Sequence, residues 1–292
     1  MKATVIGLGL IGGSIALDLK KAGLVTHMTG VDLSSQHTEE ALKLGLVDEI
    51  VQPDAVKEVD LVIMAIPVSA LVKVLPGILD VVPSHAVVMD TGSTKSQICK
   101  AVTGHPKRAQ FVASHQIAGT ENSGPAAAFS GLFRSKTNII CERERSSTET
   151  LELALKVFDA LGMNTIFMEP EEHDRHVAYV SHLSHVSSFL LGQTVLDIER
   201  DEKNIFDLAG SGFASTVRLA KSSPDMWAPI FEQNAEYLSQ ALLEYIMHLQ
   251  RFQYFLMKRD AKELHKIMTE ANHIREILNG IELKQPKSNT VK

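Results

Sequence analysis

The chain has 292 residues, enough for two domains with cores of their own. Hydrophobic residues make up 45% and charged residues 22%, an ordinary balance for a globular protein rather than a disordered or membrane-spanning one. The formal net charge of −6 excludes a general attraction to nucleic acid or to an anionic membrane, so an anionic ligand needs a local basic site.

Ala3 to Ile6 is an apolar run of the kind expected for a buried parallel strand, and it leads into Gly7-Leu8-Gly9-Leu10-Ile11-Gly12-Gly13-Ser14. Ser14 to Lys21 is predicted as a helix stopped at Gly23, and His27 to Val31 as a second strand that ends at Asp32. A GxGxxG run alone says little, but here it sits between a strand and a helix with an acid at the expected distance. In such a turn the first glycine allows the tight bend and the second admits a pyrophosphate to the backbone. The third brings helix and strand close, while the helix N-terminus offers unpaired N–H groups to phosphate. A purely structural glycine turn is the competing account, and the acid weighs against it. This half is read as a Rossmann-type dinucleotide-binding domain.

Asp32 bears on which dinucleotide is bound. A carboxylate there accepts hydrogen bonds from ribose hydroxyls and repels a 2′-phosphate, and Leu33 to Thr38 contain no arginine to neutralise one. Ser34 and Ser35 could tolerate a phosphate, and Asp32 could instead cap the next helix. The expected cofactor is NAD, with Gly7, Gly9, Leu10, Ile11, Gly12, Asp32 and Pro67 as its candidate contacts.

Further strands are predicted at Leu61 to Ile66 (ended by Pro67), Ala86 to Met89, Phe111 to Ala113, Thr137 to Cys141 and Asn164 to Phe167, with a helix from Glu149 to Leu161. Gly7, Asp32, Pro67, Ser93 and His115 then fall just past strand C-termini, the edge where open α/β sheets bind ligands. Near Glu169-Pro170-Glu171-Glu172 the pattern changes. Residues 171–280 read as all-helical, followed by a polar tail, 281–292, expected to be mobile. Phe231, Asn234, Leu238, Leu242, Tyr245, Leu249, Phe252 and Leu256 recur at helical spacing. They form either an internal packing face or a dimer seam, and the spacing does not choose. The N-terminus runs straight into a strand, so no cleavable signal is expected, and no apolar run reaches membrane-spanning length. Cys99 and Cys141 form no CxxC pair or metal-like cluster, and they suit a reducing cytoplasm.

His115 is the first candidate for chemistry. Imidazole titrates in the range useful to a base that takes a hydroxyl proton as hydride leaves. Twelve histidines make chance placement the competing explanation, and location at the ligand edge favours a role. His182 and His185 are three apart on a predicted helix and would share a face. No further ligands give them a metal pattern, so no metal is expected; one should face the crevice and the other pack internally.

Gly7 to Ser14, the run from His115 to Gly124, His173-Asp174 through His185, and Arg218-Leu219-Ala220-Lys221-Ser222-Ser223-Pro224-Asp225-Met226-Trp227 together resemble the prephenate dehydrogenase family of tyrosine biosynthesis. The resemblance covers nearly the whole chain in order. It implies an N-terminal nucleotide domain, an all-α C-terminal dimerisation domain and a site between them. It also implies oxidative decarboxylation of prephenate to 4-hydroxyphenylpyruvate, or of arogenate to tyrosine, by a homodimer. By resemblance His115 is the catalytic histidine and Ser93 the hydroxyl that assists it. Thr120, His185 and Arg218 match substrate positions, Arg218 as partner of a carboxylate. The chain departs from the family pattern at Gln116, where proline is usual, at Ile117 and Ser184, and at Ala214-Ser215, where an Arg–Asp pair is frequent. Another two-domain dehydrogenase, acting on a β-hydroxyacid or an imine, would share the first half but not the Arg218 to Trp227 segment, and a non-catalytic NAD sensor would keep Gly7 to Gly12 without needing His115, Ser93 and Arg218 together.

Overall fold

The computed structural model describes residues 1–202 and 204–284. The first half alternates strand and helix: β1 (Lys2–Ile6), α1 (Leu10–Lys21), β2 (His27–Val31), α2 (Ser35–Lys43), β3 (Glu49–Ile50), β4 (Leu61–Met64), α3 (Val68–Val81), β5 (Val87–Asp90), α4 (Ser96–Val102), β6 (Phe111–Gln116), β7 (Thr137–Cys141), α5 (Thr148–Ala160) and β8 (Asn164–Met168). The eight strands form one sheet in the order β3-β2-β1-β4-β5-β6-β7-β8. The first six in that order are parallel, β7 runs antiparallel to β6, and β8 is parallel to β7. This is a doubly wound α/β sheet whose strand order reverses direction beside β1.

Both faces of the sheet are covered, which is why its central strands are apolar without alternation. Ala3, Val5, Leu61, Ile63, Val87, Met89 and Val112 join one core, and Ile6, Val62, Met64, Val88, Phe111 and Ala113 join the other. Chain reversal at β7 leaves residues 117–136 as a long excursion from the ligand edge, containing only a short helical turn at Pro125–Ala127.

After β8 the described residues contain helices and no strand: α6 (Pro170–Val177), α7 (Leu183–Glu202), α8 (Ser211–Thr216), α9 (Pro224–Gln233), α10 (Ala235–Met257), α11 (Ala261–Ala271) and α12 (Ile274–Lys284). Pro170 opens α6 with Glu171 and Glu172 in its first turn, favourable against the helix dipole. A π-helical turn, Ala178–His182, leads from α6 into α7.

The chain divides into two compact units, Met1–Ala235 and a second starting at Glu236. Strands give way to helices at 170, where the sequence pattern changes, but the first compact unit does not end there and continues for four more helices. The reason lies in the core: Trp227 and Ile230 of α9 are buried with the residues of α3 and α4 against the sheet. The second unit holds the rest of α10 with α11 and α12; Asp260 caps α11 by accepting from the Glu263 N–H at 3.1 Å.

Four local expectations need correction. The helix after the glycine turn starts at Leu10, not Ser14, because Gly9 already serves as its N-cap. His115 lies inside β6, not beyond it: the strand runs on to Gln116 because β7 pairs with it there, His115 opposite Ile139. The run from Phe231 to Leu256 is not one helix; α9 ends at Gln233 and Asn234 turns its side chain into the first unit's interior. Of the tail expected to be mobile, residues 281–284 belong to α12, and 285–292 lie outside the described residues. Among the described residues no helix is long and apolar enough to cross a membrane.

Candidate active site

The glycine turn is built as its sequence demands. Gly7 has φ +98°, a left-handed conformation, and a Cβ there would sit 2.3 Å from the Ala65 carbonyl oxygen. A Cβ on Gly12 would sit 2.0 Å from the Gly7 carbonyl oxygen, so helix and strand can approach only because none is present. At Gly9 a Cβ would meet nothing within 4 Å: the space above this residue is open. Gly9 has no side chain to cap α1, so the first-turn N–H groups face that space, a cradle of the right kind for a pyrophosphate.

Asp32 braces this turn from the next strand. Its carboxylate accepts from the Leu8 N–H at 2.8 Å and from the Ser34 N–H at 2.9 Å. The cap of α2 is instead Ser34, whose hydroxyl accepts from the His37 N–H at 3.2 Å. The capping role that competed for Asp32 is therefore filled by its neighbour.

A cavity of about 520 Å³ opens at the C-terminal edge of the sheet. Of the cofactor candidates Gly9, Leu10, Ile11 and Pro67 line it, and so do Ser93, His115, Thr120, His185 and Arg218. Gly7, Gly12 and Asp32 do not line it; they shape the turn from behind. Glu121, Lys136 and Trp227 also face this cavity.

Ser93 is held by the loop that carries it. Asp90 at the end of β5 and Lys95 five residues later are fully buried and paired side chain to side chain, closing the loop between them. Asp90 also accepts from the N–H groups of Gly92 and Ser114, each at 2.9 Å, and the Lys95 ammonium donates to the Ser114 carbonyl at 2.7 Å. The ion pair thus ties the Ser93 loop to β6 one residue before His115.

His115 is buried at the cavity wall. Its Nδ1 lies 2.8 Å from His173 Nε2, and His173 Nδ1 lies 2.8 Å from Asp174 Oδ1. Asp174 in turn accepts from the N–H groups of Lys95 at 2.7 Å and Ser96 at 2.9 Å, at the start of α4. Burial, with the neighbouring His173 and Lys95, holds the His115 imidazole well below the usual histidine range, which favours its neutral form. Burial lowers His173 as well, against the pull of Asp174. Burial alone would raise Asp174, but hydrogen bonds from His173 and Ser96 bring it below its ordinary value.

The two helix histidines divide as expected. His182 is buried, accepts from the Asn234 side-chain N–H at 3.0 Å, and is pushed down to about 4 by burial. His185 lines the cavity and stacks on Trp227 with ring centroids 3.6 Å apart. Arg218 is exposed at the cavity mouth, where its Nη1 donates to Glu121 Oε2 at 2.9 Å. Ser215, which stands where an acid is frequent, only bonds the Gly212 carbonyl of its own helix, at 2.9 Å. Burial pushes the Cys141 thiol up to about 12 and Cys99 higher still, so neither is a nucleophile at neutral pH.

Sequence reasoning missed the contact between His115 and His173, 58 residues apart, and the pairing of Glu121 with Arg218. Both motifs were visible, but no local pattern reports which of them meet.

A doubly wound sheet, a phosphate-ready glycine turn and a buried neutral imidazole on one cavity define a dinucleotide-linked oxidoreductase. Residues 15–167 match the model for the prephenate dehydrogenase nucleotide-binding domain, and residues 169–270 match that for the prephenate dehydrogenase dimerization domain. The chain belongs to the prephenate dehydrogenase family. It is 32% identical to the prephenate dehydrogenase of Bacillus subtilis, over 98% of this chain and 78% of that protein. It is 29% identical to the cyclohexadienyl dehydrogenase of Zymomonas mobilis, over 93% of this chain and 94% of that protein. Among solved structures, the prephenate dehydrogenase of A. aeolicus in complex with hydroxyphenyl propionate and NAD+ is 28% identical, with TM-score 0.85 over 95% of this chain and 98% of that one. Arogenate dehydrogenase from Synechocystis is 26% identical, with TM-score 0.75 over 95% of this chain and 100% of that one.

Proposed function

We propose that this chain uses NAD to convert prephenate to 4-hydroxyphenylpyruvate, and that residues 1–170 hold the nucleotide while 171–280 supply substrate contacts and a dimer interface. The observation that carries this reading is that one cavity collects residues of the glycine turn, an unprotonated imidazole and an arginine. Gly9, Leu10 and Ile11 receive the pyrophosphate, and Asp32 behind them sets the adenosine ribose preference. NAD bound there would supply the acceptor for the hydride of the ring carbinol carbon. His115 accepts the hydroxyl proton and Ser93 orients that oxygen. Breaking of the carbon–carboxylate bond releases carbon dioxide and makes the ring aromatic, and the proton held by His115 returns to the phenolate oxygen. Thr120, His185 and Arg218 face the substrate, with Arg218 on a carboxylate. NADH formation, followed by absorbance with prephenate and arogenate offered separately, tests this. Arogenate as the better substrate would move the assignment to tyrosine formation; no NADH from either, with NAD or NADP, would sink it.

Arg218 meets a competitor in the structure, since Glu121 already holds one of its guanidinium nitrogens. A substrate carboxylate must share the guanidinium or displace that pairing. Arg218→Ala is therefore expected to raise the substrate KM by roughly 10- to 10²-fold, and Arg218→Lys by less, because lysine keeps the charge without the planar fork. NAD affinity should hold. An unchanged substrate KM, or an equal loss of NAD binding, would remove Arg218 from substrate recognition.

Asp32→Ser combined with an arginine at Ser35 should improve NADP use and weaken NAD use, because the carboxylate that repels a 2′-phosphate is gone. Steady-state kinetics with both cofactors measure this, and an unchanged ratio would show that the ribose contact is misplaced. Leu249, Phe252 and Leu256 of α10 are 51%, 37% and 56% exposed in the single chain. We expect a second copy to cover such a face, and light scattering should report a dimer; a monomer at micromolar concentration contradicts it.

A further inference from the structure

We propose that His173 and Asp174 are positioning residues that hold His115 in its Nδ1–H tautomer, leaving Nε2 as the lone-pair nitrogen presented to the cavity. The inference rests on the proposed reaction for its purpose and, for its substance, on the hydrogen-bond geometry together with burial, which keeps His173 neutral. Asp174 accepts backbone N–H bonds on both carboxylate oxygens, from Lys95 on Oδ1 and from Ser96 on Oδ2. An ionised carboxylate has no proton to give, so at the 2.8 Å contact His173 Nδ1 is the donor. A neutral imidazole that donates from one nitrogen must accept at the other. His173 Nε2 is therefore the acceptor of its 2.8 Å contact, and His115 Nδ1 carries the hydrogen.

One tautomer of His115 can take a proton from a substrate hydroxyl at Nε2; the other would present an N–H there and could only donate. The ring edges are held at 70° to one another with centroids 5.0 Å apart, a geometry that aligns a single nitrogen pair. His173 and Asp174 are almost fully buried, so water does not compete for either contact. When His115 accepts the substrate proton, its Nδ1–H bond to His173 strengthens and Asp174 lies at the far end of the same line. No net atom is exchanged with His173: the relay orients and stabilises, and the proton stays on His115 until it returns to the product oxygen.

The anchoring of Asp174 gives the line its fixed end. By accepting the first N–H groups of α4, Asp174 locks α6 to the loop that carries Ser93. Base and assisting hydroxyl are thus registered through one carboxylate.

The test uses the intact protein with ¹⁵N-labelled histidine. In neutral imidazole the hydrogen-bearing and bare nitrogens resonate far apart, and His115→Asn identifies the His115 signals by their loss. The wild type should show His115 protonated on Nδ1 and bare on Nε2; the opposite pattern overturns the proposal whatever the variants do. His173→Leu, which offers no acceptor, should mix the two tautomers and lower kcat by roughly 10- to 10²-fold. His173→Gln, whose carbonyl oxygen can accept from Nδ1–H, should recover much of both. Equal failure of the leucine and glutamine variants, each folded by circular dichroism, or normal kcat in the leucine variant, would refute a positioning role. If the wild type forms no NADH but shows the expected tautomer, the reaction assignment fails and the tautomer assignment stands.

Discussion

His115→Asn should lower kcat by roughly 10²-fold or more while changing the KM for either substrate little. Asparagine keeps a hydrogen-bonding group at the cavity wall and can still contact His173, but it cannot hold a proton taken from a hydroxyl. A second readout separates loss of the base from loss of shape. Burial lowers the imidazole pKa well below 6.5, so wild-type kcat should persist as pH falls past 6.5 and drop only when the buried base finally becomes protonated. The sign follows from the direction of the shift: the active form is the neutral one, and lowering its pKa extends activity toward acid. In His115→Asn that acidic limb should disappear along with the rate. A variant with near-normal kcat and only a raised KM would make His115 a binding residue, and a retained limb would assign the titration to another group.

Lys95→Met should cost the fold about 3–5 kcal/mol, the range for breaking a buried ion pair from one side. Lys95 and Asp90 are both completely excluded from solvent, so the orphaned carboxylate has no water to turn to. The two backbone N–H groups that Asp90 keeps, from Gly92 and Ser114, soften the loss without neutralising the charge. Urea denaturation gives the number directly, and a cost near zero would show that the site does not hold two charges. Asp90→Asn made together with Lys95→Met should cost less than the sum of the two changes, because asparagine leaves no charge to strand. Since the pair closes the loop that carries Ser93, Lys95→Met should also depress kcat in whatever fraction remains folded.

The outline of the fold was legible because buried parallel strands announce themselves. Leu61 to Met64 is apolar at every position, since both faces of β4 are covered, and the glycine spacing before α1 reports a close approach that no other residue type permits. Strand ends were less legible. β6 was expected to stop at Ala113, because Ser114, His115 and Gln116 are polar and look like a loop. They are buried all the same: Ser114 bonds the Asp90 carbonyl at 2.5 Å, and Gln116 reaches Asn138 on β7 at 3.1 Å. Polar residues buried in the interior carry no periodic signal. The spacing of Phe231 to Leu256 misled for a related reason. Asn234 keeps the helical interval but breaks the helix, since its side chain bonds the Asp174 carbonyl at 2.7 Å and His182 at 3.0 Å. For the site, motifs named the candidates, and only tertiary structure could say that His173 stands behind His115.

The reversal of chain direction at β7 has a consequence for how such a protein can diverge. Because β7 begins at the edge where β6 ends, the connection between them starts and ends at the cavity, and it carries Thr120, Glu121 and Lys136 there. Further along, the stretch is tied down: Leu132 and Phe133 are buried in the core, and the Asp18 carboxylate accepts from the Ser130 hydroxyl and the Gly131 N–H. Residues 119–124, ahead of that anchored part, can therefore be exchanged, lengthened or shortened with less disturbance to the sheet. The selectivity of the cavity is free to drift while the scaffold that holds the histidine stays put.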